Sequence, residues 1–362
     1  MLSIGIIAVV ALAGVVYTRI VSRMYALRDR PDEIHFIDTR DGVKIALFRY
    51  TPRGRDPHSR PVLFCHGLGA NMHNFDLTEG YSLAQYMAGG GYDSWILNLR
   101  GADVKGIIEY DDWDFDFDDF VKKDVPTAVD YVLSTTKERD LCWIGHSMGG
   151  MLLYSYLLTG GDRFIKAGVT MGSPVRFMSS AKDLSRLLKL RPLLRLTSRI
   201  HANLFARFFA PLTGVLNTSF IKSQMNILNV DTRVIRIAQY NAVTPISTRL
   251  LAQFGEWIGK HGIGLSDGFG ITENLGKITN PLLILSGKAD RLSPVEATVY
   301  AYEKVRSPDK AYVELSAENG FSADYGHIDM VFGKDAPGEV YPLIREWLDS
   351  RISAAAENTA SA

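Results

Sequence analysis

A serine flanked by glycines two residues away on either side is the strongest chemical signal in the sequence. Ser147 lies in Gly145-His146-Ser147-Met148-Gly149, directly after the apolar run 141–144. Glycines at these positions permit a sharp turn from a strand into a helix, and this turn exposes the serine hydroxyl for nucleophilic attack. The Met148 N–H, at the start of that helix, is then free to donate to an oxyanion. The alternative is a small-residue turn with an incidental serine, because so short a motif recurs by chance.

A second segment supplies a partner for the Met148 N–H. The apolar run 61–65 ends in His66-Gly67-Leu68-Gly69, where a backbone N–H just past a strand can complete an oxyanion hole. We predict that Leu68 is this second donor. For His66 we favour a structural role, in which it braces its loop by hydrogen bonding, over a catalytic one.

An aspartate and a histidine nearer the C-terminus supply an acid and a base. Asp290 lies just after an apolar run typical of a buried strand, and His327 lies in a glycine-rich, polar loop before the last helix. Taken singly, such residues are usually structural. With Ser147, however, they follow the order expected when nucleophile, acid and base occupy successive loops at one sheet edge. Asp324 and Asp329 flank His327 and are alternative acids, but Asp290 has the better location.

These residues predict acyl transfer through a Ser-His-Asp triad. His327, oriented by Asp290, takes the proton from Ser147, the serine oxygen attacks an ester carbonyl, and water later releases the acid from the acyl-enzyme. We therefore predict a serine carboxylic ester hydrolase that needs no cofactor. A thioesterase or an acyltransferase would use the same residues. A non-catalytic, membrane-tethered binding protein is an alternative from another class.

The order of sequence patterns predicts an α/β protein with a mainly parallel sheet flanked by helices. Short apolar runs alternate with helical stretches, which is the pattern of parallel strands joined by helices. A hairpin over 34–38 and 43–49 is expected at the sheet edge. The core is predicted over 31–175 and 276–352. Its predicted parallel strands are 61–65, 93–98, 140–145, 165–171, 281–286 and 310–315.

About a hundred residues interrupt this alternation. We predict that 176–275 form a helical cap over the site, because so long a segment is not an ordinary loop. A helix beginning at Pro192 is expected to carry an apolar stripe beside a row of arginines. Such a helix could rest on anionic lipid; the alternative is an ordinary cap helix whose stripe packs on the domain. The basic residues are Arg176, Lys182, Arg186, Lys189, Arg191, Arg195, Arg199 and Arg207, and the stripe is Leu196, Ile200, Leu204 and Phe208.

The N-terminal segment predicts a membrane anchor. Residues 2–17 carry no charge, and a bilayer span needs about 20 residues, which snorkelling arginines can complete. We predict a single-pass anchor with a basic flank over 1–30, and cations only after the segment place the domain on the cytoplasmic side. A cleaved signal peptide is the alternative. At the other end, a disordered tail is predicted over 353–362, after a last helix over 338–351.

Composition narrows the choice of partners. Lys plus Arg and Asp plus Glu number 40 each, so no net charge attracts nucleic acid, and an acyl ester or lipid is the expected ligand. Cys65 and Cys142 fall in predicted central strands and are interpreted as small core residues.

The segment 109–120 combines carboxylates with aromatic residues. Because no histidines are interleaved, we predict packing and helix capping there and no metal site.

The sequence resembles the α/β-hydrolases and, within them, the acid lipase group, over residues 34–175 and 276–350. This resemblance implies an α/β-hydrolase fold and a lipase or esterase activity on lipid-like esters. Carried over to matching positions, it implies Ser147 as nucleophile, Asp290 as acid, His327 as base, and Leu68 and Met148 as oxyanion donors. Polyhydroxyalkanoate synthases share the fold but use a cysteine in place of this serine. The resemblance rests on His66-Gly67-Leu68, residues 93–101, Trp113-Asp114-Phe115, Asp124-Val125-Pro126 and residues 326–337.

Overall fold

A computed structural model gives the structure of residues 2–28, 31–53, 60–102, 108–177, 197–216 and 218–360. The strands are β1 (Glu33–Asp38), β2 (Lys44–Tyr50), β3 (Pro61–Cys65), β4 (Asp76–Thr78), β5 (Tyr81–Ser82), β6 (Asp93–Asn98), β7 (Leu141–His146), β8 (Ile165–Met171), β9 (Arg199–Ile200), β10 (Ile246–Ser247), β11 (Leu282–Gly287) and β12 (Lys310–Leu315). Eight of them form one sheet, in the order β1-β2-β6-β3-β7-β8-β11-β12. The remaining strands pair as β4-β5 and β9-β10.

The large sheet is antiparallel at one edge and parallel elsewhere. β1 pairs with β2, and β2 with β6, in antiparallel register. All pairs from β6 to β12 are parallel. The predicted hairpin and the six predicted parallel strands are therefore confirmed. Every residue of β3, β6, β7 and β11 is buried, as the near-continuous apolar sequences of strands covered on both faces require.

Helices connect the strands and cover both faces of the sheet. Side chains of β7 alternate between two apolar cores, because successive residues of a strand point to opposite faces: Trp143 lies in one core and Cys142 in the other. The described helices are α1 (Leu2–Tyr25), α2 (Leu83–Gly89), α3 (Phe117–Asp119), α4 (Val125–Thr136), α5 (Met148–Tyr156), α6 (Ala202–Phe209), α7 (Ser219–Gln224), α8 (Thr232–Asn241), α9 (Thr248–Lys260), α10 (Ile271–Asn274), α11 (Val295–Lys304), α12 (Asp329–Phe332) and α13 (Ala336–Ala360).

The segment between β8 and β11 differs in detail from the predicted cap. Its described part holds α6 to α10 and the small sheet of β9 and β10. No helix runs through position 200, because Ile200 pairs with Ile246 in that small sheet. Leu204 and Phe208 of the predicted stripe lie on α6, but 57% and 52% of their surface is exposed. Leu196, Pro192 and the basic residues from Lys182 to Arg195 lie outside the described residues.

The predicted single-pass anchor is wrong. Within the part of the chain that the structure describes, no helix combines the length and the apolar character needed to cross a bilayer. The uncharged run in α1 ends at Thr18, before Arg19, and is shorter than the roughly 20 residues that a span needs. Beyond Arg19, Val21 and Tyr25 are buried against the rest of the protein. The predicted cytoplasmic orientation loses its basis as well.

Two further predictions concern the acidic, aromatic segment and the C-terminus. Trp113 and Phe115 are buried in the core, and Asp116 caps α3 through a capping box with Asp119, so the predicted packing and capping are confirmed. At the C-terminus, α13 continues to Ala360, where a disordered tail was predicted from residue 353. Consecutive alanines with high helix propensity follow the predicted end of this helix.

A buried charge network fixes the loop that follows β6. The Arg100 guanidinium contacts Asp124 at 2.7 Å and Asp41 at 2.8 Å, while the Arg100 backbone N–H donates to Asp124. Asp124 is fully buried, which raises the pKa of its carboxyl to about 6 against the opposing effect of Arg100. The same arginine holds the pKa of Asp41 well below its usual range. Arg100 thereby compensates two carboxylates at the sheet edge next to the site.

We predict that Arg100→Met lowers the free energy of unfolding by about 3–5 kcal/mol, because it leaves the Asp124 carboxyl buried without a cation. Urea denaturation of the purified protein measures this change. Lys44→Met is the matched control, since its ion pair with Asp38 is largely exposed and should contribute less than about 1 kcal/mol. Equal losses in the two variants would contradict the assigned role of Arg100.

Candidate active site

The turn from β7 into α5 places Ser147 in a strained, exposed position. Its backbone has φ 53° and ψ −118°, a region that non-glycine residues rarely adopt. A Cβ on Gly145 would lie 2.4 Å from the Gly149 backbone, and one on Gly149 would lie 1.9 Å from the Cys65 carbonyl oxygen. Only glycine fits at either position. Ser147 is partly exposed, whereas the residues on both sides of it in the motif are buried.

Two backbone N–H groups near Ser147 remain available for a ligand. Met148 begins α5, and Leu68 lies in the loop after β3. Within the described residues, neither N–H donates to a protein acceptor. The neighbouring Gly67 N–H differs, because it donates to Asn74 Oδ1 at 3.1 Å. A Cβ on Gly67 would lie 3.1 Å from Ser147 Cβ, so the two loops are in close contact.

His66 braces the loop that carries Leu68. Its Nε2 accepts from the Leu99 N–H at 3.3 Å, so its proton lies on Nδ1, which donates to the Gly67 carbonyl at 2.9 Å. Complete burial lowers the pKa of His66 to about 4. The imidazole is therefore neutral near pH 7 and has both nitrogens occupied, as expected of a structural histidine.

Asp290 and His327 are in direct contact after β11. The distance from His327 Nδ1 to Asp290 Oδ2 is 2.7 Å. Asp290 Oδ1 accepts from the N–H groups of Leu292 and Ser293, both at 2.8 Å, so the carboxylate cannot rotate freely. Gly172 passes beneath the pair with φ +55°, and a Cβ there would lie 3.0 Å from Asp290 Oδ2. This arrangement directs the Nδ1 proton toward Asp290 and leaves His327 Nε2 to accept another.

The two alternative acids have other partners. Asp329 accepts from the Gly326 N–H at 2.8 Å, from Asn229 Nδ2 at 2.9 Å and from the Asn226 N–H at 3.2 Å. Its burial raises its pKa to about 6. Asp324 Oδ1 accepts from the Ala317 N–H. Neither carboxylate is hydrogen-bonded to the His327 ring, and Asp329 instead shapes the loop before it.

His146, between Gly145 and Ser147, contacts the loop of His327. His146 Nε2 lies 3.0 Å from the His327 carbonyl oxygen, and the two rings are 4.8 Å apart. The described residues include both Ser147 and His327, and no hydrogen bond joins the Ser147 hydroxyl to His327. No sequence pattern indicates His146, which occupies the variable position of its motif, or Asn74, which follows the loop of Leu68.

A recess with largely apolar walls adjoins the loop that carries Leu68. It has a volume of about 20 Å³, enough for about one water molecule, and lies against Met148 and Gly69. Arg100 reaches this recess, but its charge is compensated by Asp124 and Asp41. The recess therefore presents apolar side chains next to the predicted oxyanion donors. Its apolar walls include Phe115, Phe120, Ile246 and Leu250.

Several lipases are similar in sequence. Bovine gastric triacylglycerol lipase is 31% identical over 188 residues, which cover 48% of this chain and 46% of that protein. Human lysosomal acid lipase/cholesteryl ester hydrolase is 30% identical over 142 residues, or 35% of each chain. Mouse lipase member M is 23% identical over 353 residues, covering 89% of this chain and 83% of that protein. The aligned regions span less than half the length of the first two relatives.

Solved structures share the fold at lower identity. A monoglyceride lipase variant from Saccharomyces cerevisiae matches with a TM-score of 0.60 and 16% identity, covering 90% of this chain and 98% of that one. An esterase from Thermogutta terrifontis matches with a TM-score of 0.59 and 18% identity, covering 88% and 99%. These matches confirm the predicted α/β-hydrolase fold.

A family model extends across most of the sheet. The model described as "Serine aminopeptidase, S33" matches residues 56–317, a region that begins before β3 and ends beyond β12. This region contains Ser147 and Asp290 and ends ten residues before His327. Because it covers more than half of the chain, and because the fold agrees, the protein belongs to this α/β-hydrolase family.

Proposed function

We propose that this protein is a serine hydrolase of the lipase or esterase type, with Ser147 as nucleophile, His327 as base and Asp290 as acid. The observation that carries the proposal is the 2.7 Å contact between His327 Nδ1 and Asp290, beside a strained and exposed serine. Such a pair orients the imidazole and stabilises the imidazolium that forms during attack. The lipases among the relatives support the same reaction class.

The mechanism is acyl transfer in two steps. His327 Nε2 takes the Ser147 proton while the serine oxygen attacks the ester carbonyl, and the N–H groups of Leu68 and Met148 stabilise the oxyanion. Collapse of this intermediate breaks the ester bond, and His327 protonates the departing alcohol. Water then attacks the acyl-enzyme with the same histidine as base, and the carboxylic acid leaves. The Ser147–His327 hydrogen bond forms as substrate binds, since such contacts tighten in the substrate complex.

The substrates we propose are lipid-like esters. Relatives include a triacylglycerol lipase and a cholesteryl ester hydrolase. In this chain, the recess beside Met148 has largely apolar walls next to the proposed oxyanion donors. A second observation is an exposed apolar surface on α6, formed by Leu204, Phe205, Phe208 and Phe209, of which 46–67% is exposed.

This α6 surface has a distinctive charge environment. α1 lies beside it, with the Tyr17 hydroxyl donating to the Phe208 carbonyl at 2.6 Å. Neither residues 9–28 nor residues 197–230 contain an aspartate or a glutamate, although both include arginines. An apolar face next to two acid-free segments that carry arginines fits the surface of a lipid aggregate. We propose that α6 contacts such a surface, without crossing it, when the enzyme takes up its substrate.

Our first prediction for this function concerns the nucleophile. A fluorophosphonate probe should label the parent protein at Ser147, and Ser147→Ala should abolish labelling and lower ester hydrolysis by at least about 10⁴-fold. Ser134→Ala is the control, because this serine lies on the exposed side of α4. Labelling at another residue, or persistent turnover in Ser147→Ala, would overturn the assignment.

The substrate class is measured on the same preparation. We expect hydrolysis of acyl esters to exceed that of matched thioesters and aminoacyl anilides, with little transfer to added alcohols. Faster thioester cleavage, anilide cleavage or dominant alcohol transfer would replace the ester-hydrolase proposal by a thioesterase, an aminopeptidase or an acyltransferase. Ligand binding without any turnover would indicate a binding protein.

A second prediction distinguishes Asp290 from Asp324 as the acid that pairs with His327. Asp290→Asn should lower kcat by about 10⁴-fold, because the imidazole loses its orienting carboxylate. Asp324→Asn should leave kcat nearly unchanged, since this carboxylate bonds to the Ala317 N–H instead. Steady-state kinetics with a soluble short-chain ester measure both. A larger loss of kcat in Asp324→Asn than in Asp290→Asn would show that Asp290 is not the acid.

A third prediction tests the α6 surface. Phe205→Glu should lower hydrolysis of an emulsified long-chain ester by about tenfold or more, because a charge replaces a side chain that enters lipid. Hydrolysis of a dissolved short-chain ester should not change. Phe36→Glu is the matched control, since Phe36 is 45% exposed on the edge strand β1. Equal effects of both substitutions on the emulsion would exclude a special role for α6.

A further inference from the structure

The imidazole of His146 lies between Asn74 and the loop of His327 in the proposed active site. Its Nε2 lies 3.0 Å from the carbonyl oxygen of His327, and its Nδ1 lies 3.0 Å from Asn74 Oδ1. Asn74 Oδ1 accepts from the Gly67 N–H at 3.1 Å. Asn74 thus binds the loop of the proposed oxyanion donor, His146 binds the loop of the proposed base, and the two side chains are in contact.

We propose that His146 and Asn74 are positioning residues, which hold the Leu68 N–H and the His327 imidazole in register around Ser147. This inference rests on the proposed function and deepens it, because it assigns the alignment of the reacting groups to side chains that do not touch the substrate. The four residues Gly67, Asn74, His146 and His327 are called the bridge below.

The bridge restrains both catalytic groups through neighbouring atoms. Binding of the Gly67 N–H to Asn74 fixes the orientation of this peptide, and the next N–H along the chain is that of Leu68. At the other end, the held carbonyl belongs to His327 itself and limits how far its ring can move. A misplacement of about 1 Å in such groups can cost on the order of 10²-fold in rate.

Asn74 is itself held rigidly. It ends the short helical turn Met72–Asn74, which the Asn71 side chain caps by accepting from the His73 N–H. Asn71 Nδ2 donates to the carbonyl of Asn241 at the end of α8. Asn74 and His146 are each 5% exposed, so water does not compete for the bridge.

The ends of the bridge have fixed hydrogen-bonding roles. The Gly67 N–H can only donate, and the His327 carbonyl can only accept, so His146 donates from Nε2. Burial, and secondarily the charge of His327, lower the pKa of His146 to about 3, so the ring is neutral and Nδ1 carries a lone pair. Nδ1 and Asn74 Oδ1 are then both acceptors, and their 3.0 Å contact is not a hydrogen bond. A carboxylate at position 74 would favour a second proton on His146 and make this contact attractive.

Kinetics of purified variants on a dissolved short-chain ester test the bridge. His146→Phe, which keeps a ring, and Asn74→Leu, which keeps a similar volume, should each lower kcat by about 10- to 100-fold. KM should change by less than about threefold, because substrate contacts are unaltered. Asn74→Asp should recover kcat to within about threefold of the parent, since its carboxylate accepts from both Gly67 and His146. Thermal unfolding checks that each variant is folded.

His35→Phe is the matched control, because His35 also uses both ring nitrogens, bonding to Tyr131 and Glu33 on the edge of the sheet. Its kcat should equal that of the parent. A folded Asn74→Leu or His146→Phe with parental kcat would overturn the inference, as would an Asn74→Asp as slow as Asn74→Leu. A parent without esterase activity, or an active Ser147→Ala, would instead refute the proposed function on which the inference rests.

Discussion

The contact between the start of α5 and the end of β3 is the constraint on which the site depends. Gly149 passes so close to the Cys65 carbonyl that no side chain fits between them. This approach is possible because β3 and β7 are parallel neighbours whose carboxyl ends lie at one edge of the sheet. It brings Ser147 against the loop of Leu68. Asp290 and His327 then reach the same edge from the loops after β11 and β12.

The inserted segment between β8 and β11 also holds the loops of Leu68 and His327. The Thr244 N–H donates to the Gly69 carbonyl, and the Ile328 N–H, next to the proposed base, donates to the Gln224 carbonyl. Asn226 and Asn229 bind Asp329 in the loop of the base. A displacement of this segment would therefore move the loops of Leu68 and His327 together. The exposed α6 surface, where we propose contact with lipid, belongs to the same segment.

Sequence patterns predict those parts of the molecule that local chemistry determines. The buried strands could be predicted because parallel strands covered on both faces must be apolar throughout. The glycines around Ser147 could be recognised because steric exclusion leaves no other residue type. By contrast, His146 and Asn229 act through partners about 180 and 100 positions away, and no local pattern records such contacts. The anchor prediction was wrong for the same reason. It considered only the sequence of α1, whereas Val21 and Tyr25 pack on the domain.

Three histidines are close together at this site, and their environments separate their roles. Burial lowers the pKa of His66 to about 4 and that of His146 to about 3, so both remain neutral near pH 7. Two neutral neighbours add no positive charge to oppose the imidazolium that the mechanism forms on His327. Only His327 contacts a carboxylate through its ring in this group. In the proposed mechanism, proton transfer therefore belongs to His327, while His66 and His146 hydrogen-bond to the surrounding loops.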